Sequence, residues 1–116
     1  MLLVALAALP LVAGCRGSKV GTASCNPGER VFVACGCDEV GSCEQAPDPV
    51  LRVCDGALAA SECSWDNQLG ENDDGPGCGR CPGLTVVCPA SGSLYIAARG
   101  LYPDEIVDCE WALRPE

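Results

Sequence analysis

The sequence predicts an all-β fold: a small, disulfide-rich antiparallel β-sandwich with a jelly-roll-like path. Three observations predict it. Cysteine supplies 11 of 116 residues, above the level at which a short exported chain reads as a disulfide scaffold. From Cys25 onward helical periodicity is absent, and apolar residues alternate in short runs. Between the runs lie turn signals: Asn26-Pro27-Gly28, Asp55-Gly56, Asp74-Gly75-Pro76-Gly77, Pro82-Gly83 and Ser91-Gly92. A chain of this length has room for one core, which small domains often staple covalently.

The first element is Met1 to Gly14, an apolar run of Leu, Val and Ala without one charged side chain. A spanning helix takes about 20 apolar residues, and Pro10 interrupts this shorter run, so residues 1–14 read as a removable signal peptide. The opening Met1-Leu2-Leu3-Val4 lacks the Lys or Arg usual in such leaders, which points to a start upstream. Val12-Ala13-Gly14-Cys15 resembles the bacterial lipobox, in which an aliphatic residue and two small ones precede an acylated cysteine. That resemblance implies lipidation at Cys15, a membrane held through N-terminal acyl chains, and a cell-envelope location. Arg16 in second place favours the outer membrane.

Arg16 to Ser24 is short, polar and glycine-containing, so residues 15–24 are expected to be the lipidated cysteine and a flexible tether, with the folded body spanning 25–116. Strands are expected at 30–35, 50–54, 84–88, 93–99 and 106–113. The last is the clearest: Val107, Cys109, Trp111 and Leu113 share one face, Asp108 and Glu110 the other. Residues 57–62 (ALAASE) suit at most one helical turn. Trp65, Tyr95, Tyr102 and Trp111 are expected in the core, with a recognition surface as the alternative.

With Cys15 set apart, Cys25, Cys35, Cys37, Cys43, Cys54, Cys63, Cys78, Cys81, Cys88 and Cys109 form an even set that can close as disulfides. Ten cysteines admit over roughly 900 pairings. Cys78 and Cys81 have the spacing of a redox dithiol, and with Cys35 and Cys37 would supply four thiolates for zinc. The loop setting and the oxidising compartment favour structural bridges instead.

Histidine is absent, which removes the commonest general base and the usual catalytic triads. No catalytic residue is assigned, and no enzyme is expected. Sixteen acidic against seven basic residues give a formal charge of -9, which excludes nucleic acid as a natural partner. Asp66, Glu71, Asn72, Asp73 and Asp74 offer oxygen ligands in one stretch, which suits calcium, against a plain solvated acidic turn.

Three motifs then follow in order: Asp48-Pro49-Val50-Leu51-Arg52-Val53, the run Asn67 to Asp74 ending Asn72-Asp73-Asp74, and Ser91-Gly92-Ser93-Leu94-Tyr95-Ile96. Together they resemble the bacterial pre-peptidase C-terminal domain, over most of residues 26–114. The resemblance implies a jelly-roll-like sandwich serving as an accessory module, in some members binding calcium or extracellular polymers. The stretch Ala57 to Asp66 departs from it, as an insertion that Cys63 ties down.

The function expected is a non-catalytic envelope lipoprotein, a binding or structural module with an extracellular protein or polymer as ligand. A redox or metal-handling protein using Cys78 and Cys81, and a calcium-dependent adhesion module, are the alternatives.

Overall fold

The computed structural model describes residues 16–18, 20–44, 48–75, 77–100, 102 and 107–116. The expected signal peptide and Cys15 lie outside the described residues. Nine strands occur among those described: β1 (Arg16–Ser18), β2 (Val20–Ser24), β3 (Arg30–Ala34), β4 (Ser42–Cys43), β5 (Pro49–Asp55), β6 (Gly70–Asn72), β7 (Gly83–Val87), β8 (Ser93–Gly100) and β9 (Cys109–Pro115). A single 3₁₀ turn, Ala60–Glu62, falls within the stretch read as one helical turn.

Every strand pairing is antiparallel. One sheet runs β1-β9-β3-β7, with β4 also on β9; the other runs β2-β8-β5-β6. Inward side chains from both sheets meet between them. Val31 and Val33 on β3, Val86 on β7 and Trp111 on β9 pack with Leu51 and Val53 on β5 and with Leu94, Ile96 and Ala98 on β8. Alternation places these residues on one face of each strand, and their burial is what fixes the register, since a one-residue slip would turn them all to solvent. The alternation of Val107, Cys109 and Trp111 holds: all three are buried.

The tether is corrected. β1 pairs Arg16 with Ala112 of β9, and β2 pairs Val20 through Ser24 with Ala97 through Ser93 of β8, so the folded body includes these residues. The chain passes from the edge of one sheet to the edge of the other between Ser18 and Val20. The composition that suggests a linker serves packing here. A Cβ on Gly21 would lie 2.7 Å from Cζ2 of Trp111, so the missing side chain makes room for the indole.

The ten cysteines close as five bridges: Cys25–Cys88, Cys35–Cys109, Cys37–Cys78, Cys43–Cys81 and Cys54–Cys63. Four of them join segments 38 to 74 residues apart: Cys25–Cys88 ties the ends of β2 and β7, Cys35–Cys109 the end of β3 to the start of β9, Cys43–Cys81 β4 to the loop before β7, and Cys37–Cys78 one loop to another. Cys78 and Cys81 are each bonded to a different partner, so they do not form the dithiol that their spacing allows.

Both sheets are covered on their outer faces as well. On the first, Phe32, Ala34 and Ala112 form a second apolar cluster with Cys37 and Val40 from the 35–41 loop. Gly83 permits the close approach: a Cβ there would lie 2.9 Å from Phe32 and 3.0 Å from Cys37. On the second, the 56–69 loop folds back over β5, and this cover is less complete.

Candidate functional site

β5, like β3, buries side chains on both faces. Leu51 and Val53 point into the core, yet Val50 (3% exposed) and Cys54 (0%) on the opposite face are also buried. The 56–69 loop accounts for this, with Cys63 bonded to Cys54 across a separation of nine residues.

The loop is shaped by local hydrogen bonds. Asp55 Oδ1 accepts from Ala57 N at 2.9 Å and from Ser91 Oγ at 2.6 Å where the loop leaves β5. The Ser91 bond foremost, then the Ala57 bond, hold the Asp55 carboxyl below its ordinary pKa. Glu62 reaches back to accept from Ala59 N at 2.8 Å, half of a capping box on the 3₁₀ turn. Asn67 then organises the tip: its Oδ1 accepts from Ser64 N at 2.8 Å and its Nδ2 donates to Glu62 O at 2.5 Å, while Asn67 N donates to Ser64 O at 3.3 Å. The turn Ser64-Trp65-Asp66-Asn67 thus sets Trp65 at its outer corner, 71% exposed. Leu69 N donates to Val53 O at 2.7 Å and returns the chain to β6.

Beside this tip lies a cavity of about 310 Å³ lined by Val50 of β5, Trp65 and Gln68 of the loop, Glu71 and Asn72 of β6, Asp73, and Arg99 of β8. The volume is at the small end of the range for ligand pockets, roughly 300 to 1,000 Å³. Its polar wall is held by cross-strand pairing. Arg52 and Glu71 sit directly opposite on β5 and β6, and Arg52 Nη2 and Nε contact Glu71 Oε1 at 2.9 and 3.0 Å. Arg99, which faces Val50 across β5 and β8, places Nη2 3.4 Å from Glu71 Oε2. Two guanidinium groups on one carboxylate fix Glu71 in a geometry that a lone surface pair would not hold. Gln68 contributes a buried Oε1 with no hydrogen-bond partner among the described residues.

The five residues read as calcium donors are divided. Glu71 is engaged by two arginines, Asn72 Oδ1 accepts from Gly83 N at 3.0 Å, and Asp66 is exposed on the loop tip. Asp73 and Asp74 come together with Asp48, which the spacing did not suggest, with ligand atoms of the three all within 4.8 Å of one another. Asp48 immediately precedes β5 and the other two follow β6, so the β5–β6 pairing brings them to one end of the hairpin. A calcium ion takes six to eight oxygens, and this group offers three carboxylates. Cys37 and Cys78 also lie beside Asp38, but their disulfide removes the thiolates a metal would need.

Of the aromatics expected inside, Trp111 is 2% exposed, whereas Trp65 and Tyr102 are largely exposed. Trp65 and Tyr102 are the residues that the core expectation misplaced. For Trp65 the sequence signal was its place in a polar Ser-Trp-Asp-Asn turn, outside any strand-like run.

Comparison of the chain with protein-family models, curated proteins and solved structures finds no match.

Proposed function

We propose that the chain is a non-catalytic binding module of the cell envelope, acylated at Cys15 and presenting the outer face of the β2-β8-β5-β6 sheet to an extracellular ligand. The observation that carries the reading is the 56–69 loop, whose disulfide and hydrogen bonds build, with the buried Val50, a preformed cavity beside an exposed tryptophan. Five disulfides favour an oxidising, extracytoplasmic setting, and the Val12-Ala13-Gly14-Cys15 run supports the anchor. The absence of histidine from the sequence supports a role without chemistry. The two-sheet fold is consistent with kinship to pre-peptidase C-terminal domains.

The test is intact mass of the protein extracted from membranes of a bacterial host that processes lipoproteins. The expected mass begins at Cys15, carries two or three acyl chains and corresponds to ten oxidised cysteines. Cys15→Ser is expected to move the protein from the detergent phase to the aqueous phase. An unacylated mature protein, or one with free thiols at Cys78 and Cys81, would sink the reading.

A calcium-dependent module is a second reading, favoured by the approach of Asp48, Asp73 and Asp74. It requires a melting temperature that rises with millimolar calcium, because a ligand bound only by the native state stabilises that state.

A further inference from the structure

We infer that the cavity beside the 56–69 loop binds a neutral saccharide, with Trp65 as the stacking platform. The inference rests on the binding-module reading above and names the ligand class for its cavity.

The lining selects among ligands by charge first. Glu71, Asp73 and Arg99 line the cavity, Arg52 and Arg99 both engage Glu71, and Asp48 and Asp74 lie beside Asp73, so the charged surroundings are net acidic. Phosphate and other anions meet two carboxylates at the wall, inside a chain of net charge -9. A quaternary ammonium ion is recognised by a cage of several aromatic rings, and Trp65 is the one aromatic ring in the lining. A neutral ligand escapes the repulsion of anions and needs no such cage.

Chemistry then narrows the class. An exposed indole offers a flat apolar face with negative quadrupolar charge, to which the slightly positive C–H groups on one face of a pyranose ring are attracted. A sugar also brings hydroxyls that donate and accept at its rim. Gln68 Oε1 is a buried acceptor without a partner among the described residues. Arg99, with its side chain 48% exposed, retains donors beyond those spent on Glu71 and on Gly100 O. Gln68 on the loop and Arg99 on β8 both line the cavity with Val50, and an amide and a guanidinium beside an apolar side chain match a ring that carries hydroxyls around its edge. The cavity's 310 Å³ accommodates one or two sugar rings and leaves the rest of a chain in solvent, which suits a polymer.

The experiment is isothermal titration of the mature chain, all disulfides formed, with cellohexaose and mannohexaose, with choline and spermidine as cationic controls. Fluorescence is followed in parallel. The sequence has two tryptophans, and Trp111 is buried, so a ligand on the platform shifts the emission of Trp65 alone. Binding of at least one hexasaccharide is expected with a dissociation constant of about 0.1 to 1 mM, as one stacked ring and a few hydrogen bonds allow. Trp65→Ala and Gln68→Leu should each weaken it about tenfold or more, with the buried Trp111 emission showing that the fold survives. The inference is overturned if neither hexasaccharide binds, if binding persists undiminished in Trp65→Ala, or if only choline or spermidine responds. Acylation at Cys15 is read separately by mass, so an anchored protein without glycan binding removes the saccharide and leaves the envelope module standing.

Discussion

The two sheets are each covered on the outside by a loop, and the covers differ in kind. Over the first sheet, the 35–41 loop closes on Phe32, Ala34 and Ala112, and Cys37 and Val40 are buried with them. Arg114 lies over the Phe32 ring at 4.9 Å from its centroid and completes the seal. Over the second sheet, the 56–69 loop stands on Cys63, hydrogen-bonds mostly to itself, and leaves a cavity beside an exposed tryptophan. The first cover excludes solvent to hold the fold; the second is pinned just enough to keep a shape. The difference teaches that disulfide content does not separate structure from function: both loops are stapled, and only the contents beneath them differ.

The comparison can be broken first at the staples. In the chain-entropy account a bridge constrains the unfolded state more when its loop is long. Cys37–Cys78 spans 41 residues and Cys54–Cys63 spans nine. Replacing Cys37 and Cys78 together by alanine is expected to destabilise the protein by about 4 kcal/mol, with melting of the whole domain at lower denaturant. Replacing Cys54 and Cys63 should cost about 2.5 kcal/mol, and should abolish the saccharide response while the sandwich remains folded at room temperature. Denaturant titrations of both pairs, with titration calorimetry on the second, check this; equal losses of binding in the two variants would erase the proposed contrast.

The smallest effect sharpens the same comparison from the other side. Asp38 and Glu39, at the tip of the first cover, adopt φ of 53° and 66°, the left-handed region that disfavours side chains bearing a Cβ. Val40 N donates to Cys37 O at 3.0 Å, so the four residues form a tight turn with both central positions left-handed. Glu39→Gly should therefore stabilise the domain by about 1 kcal/mol without changing ligand affinity. Chemical denaturation would show it, and a destabilised Glu39→Gly variant would mean that the turn's side chains contribute more than its backbone costs.

The strands at 30–35, 50–54, 84–88, 93–99 and 106–113 were legible because alternation and turn chemistry are local, and each expected run overlaps an observed strand. β2 was not. Val-Gly-Thr-Ala-Ser has the composition of a linker, and the reason for Gly21 is Trp111, 90 positions away in the sequence. Cysteine pairing was illegible for the same reason, since partners up to 74 residues apart leave no local trace. At the site, the stretch 66–74 drew notice for its oxygens. The register of β5 against β6, which gives Glu71 to Arg52 and brings Asp48 to Asp73 and Asp74, depends on pairing that composition does not encode.

The pairing of β1 with β9 bears on reach. A free tether of nine residues would let the body roam about 30 Å from its attachment. Because hydrogen-bonded sheet begins at Arg16, acyl chains on Cys15 in the anchored form proposed above would join the sandwich through one peptide link, a Cα step of about 3.8 Å. The domain would then lie against the bilayer, turning with its lipids, and could sample only polymers that come down to the membrane surface.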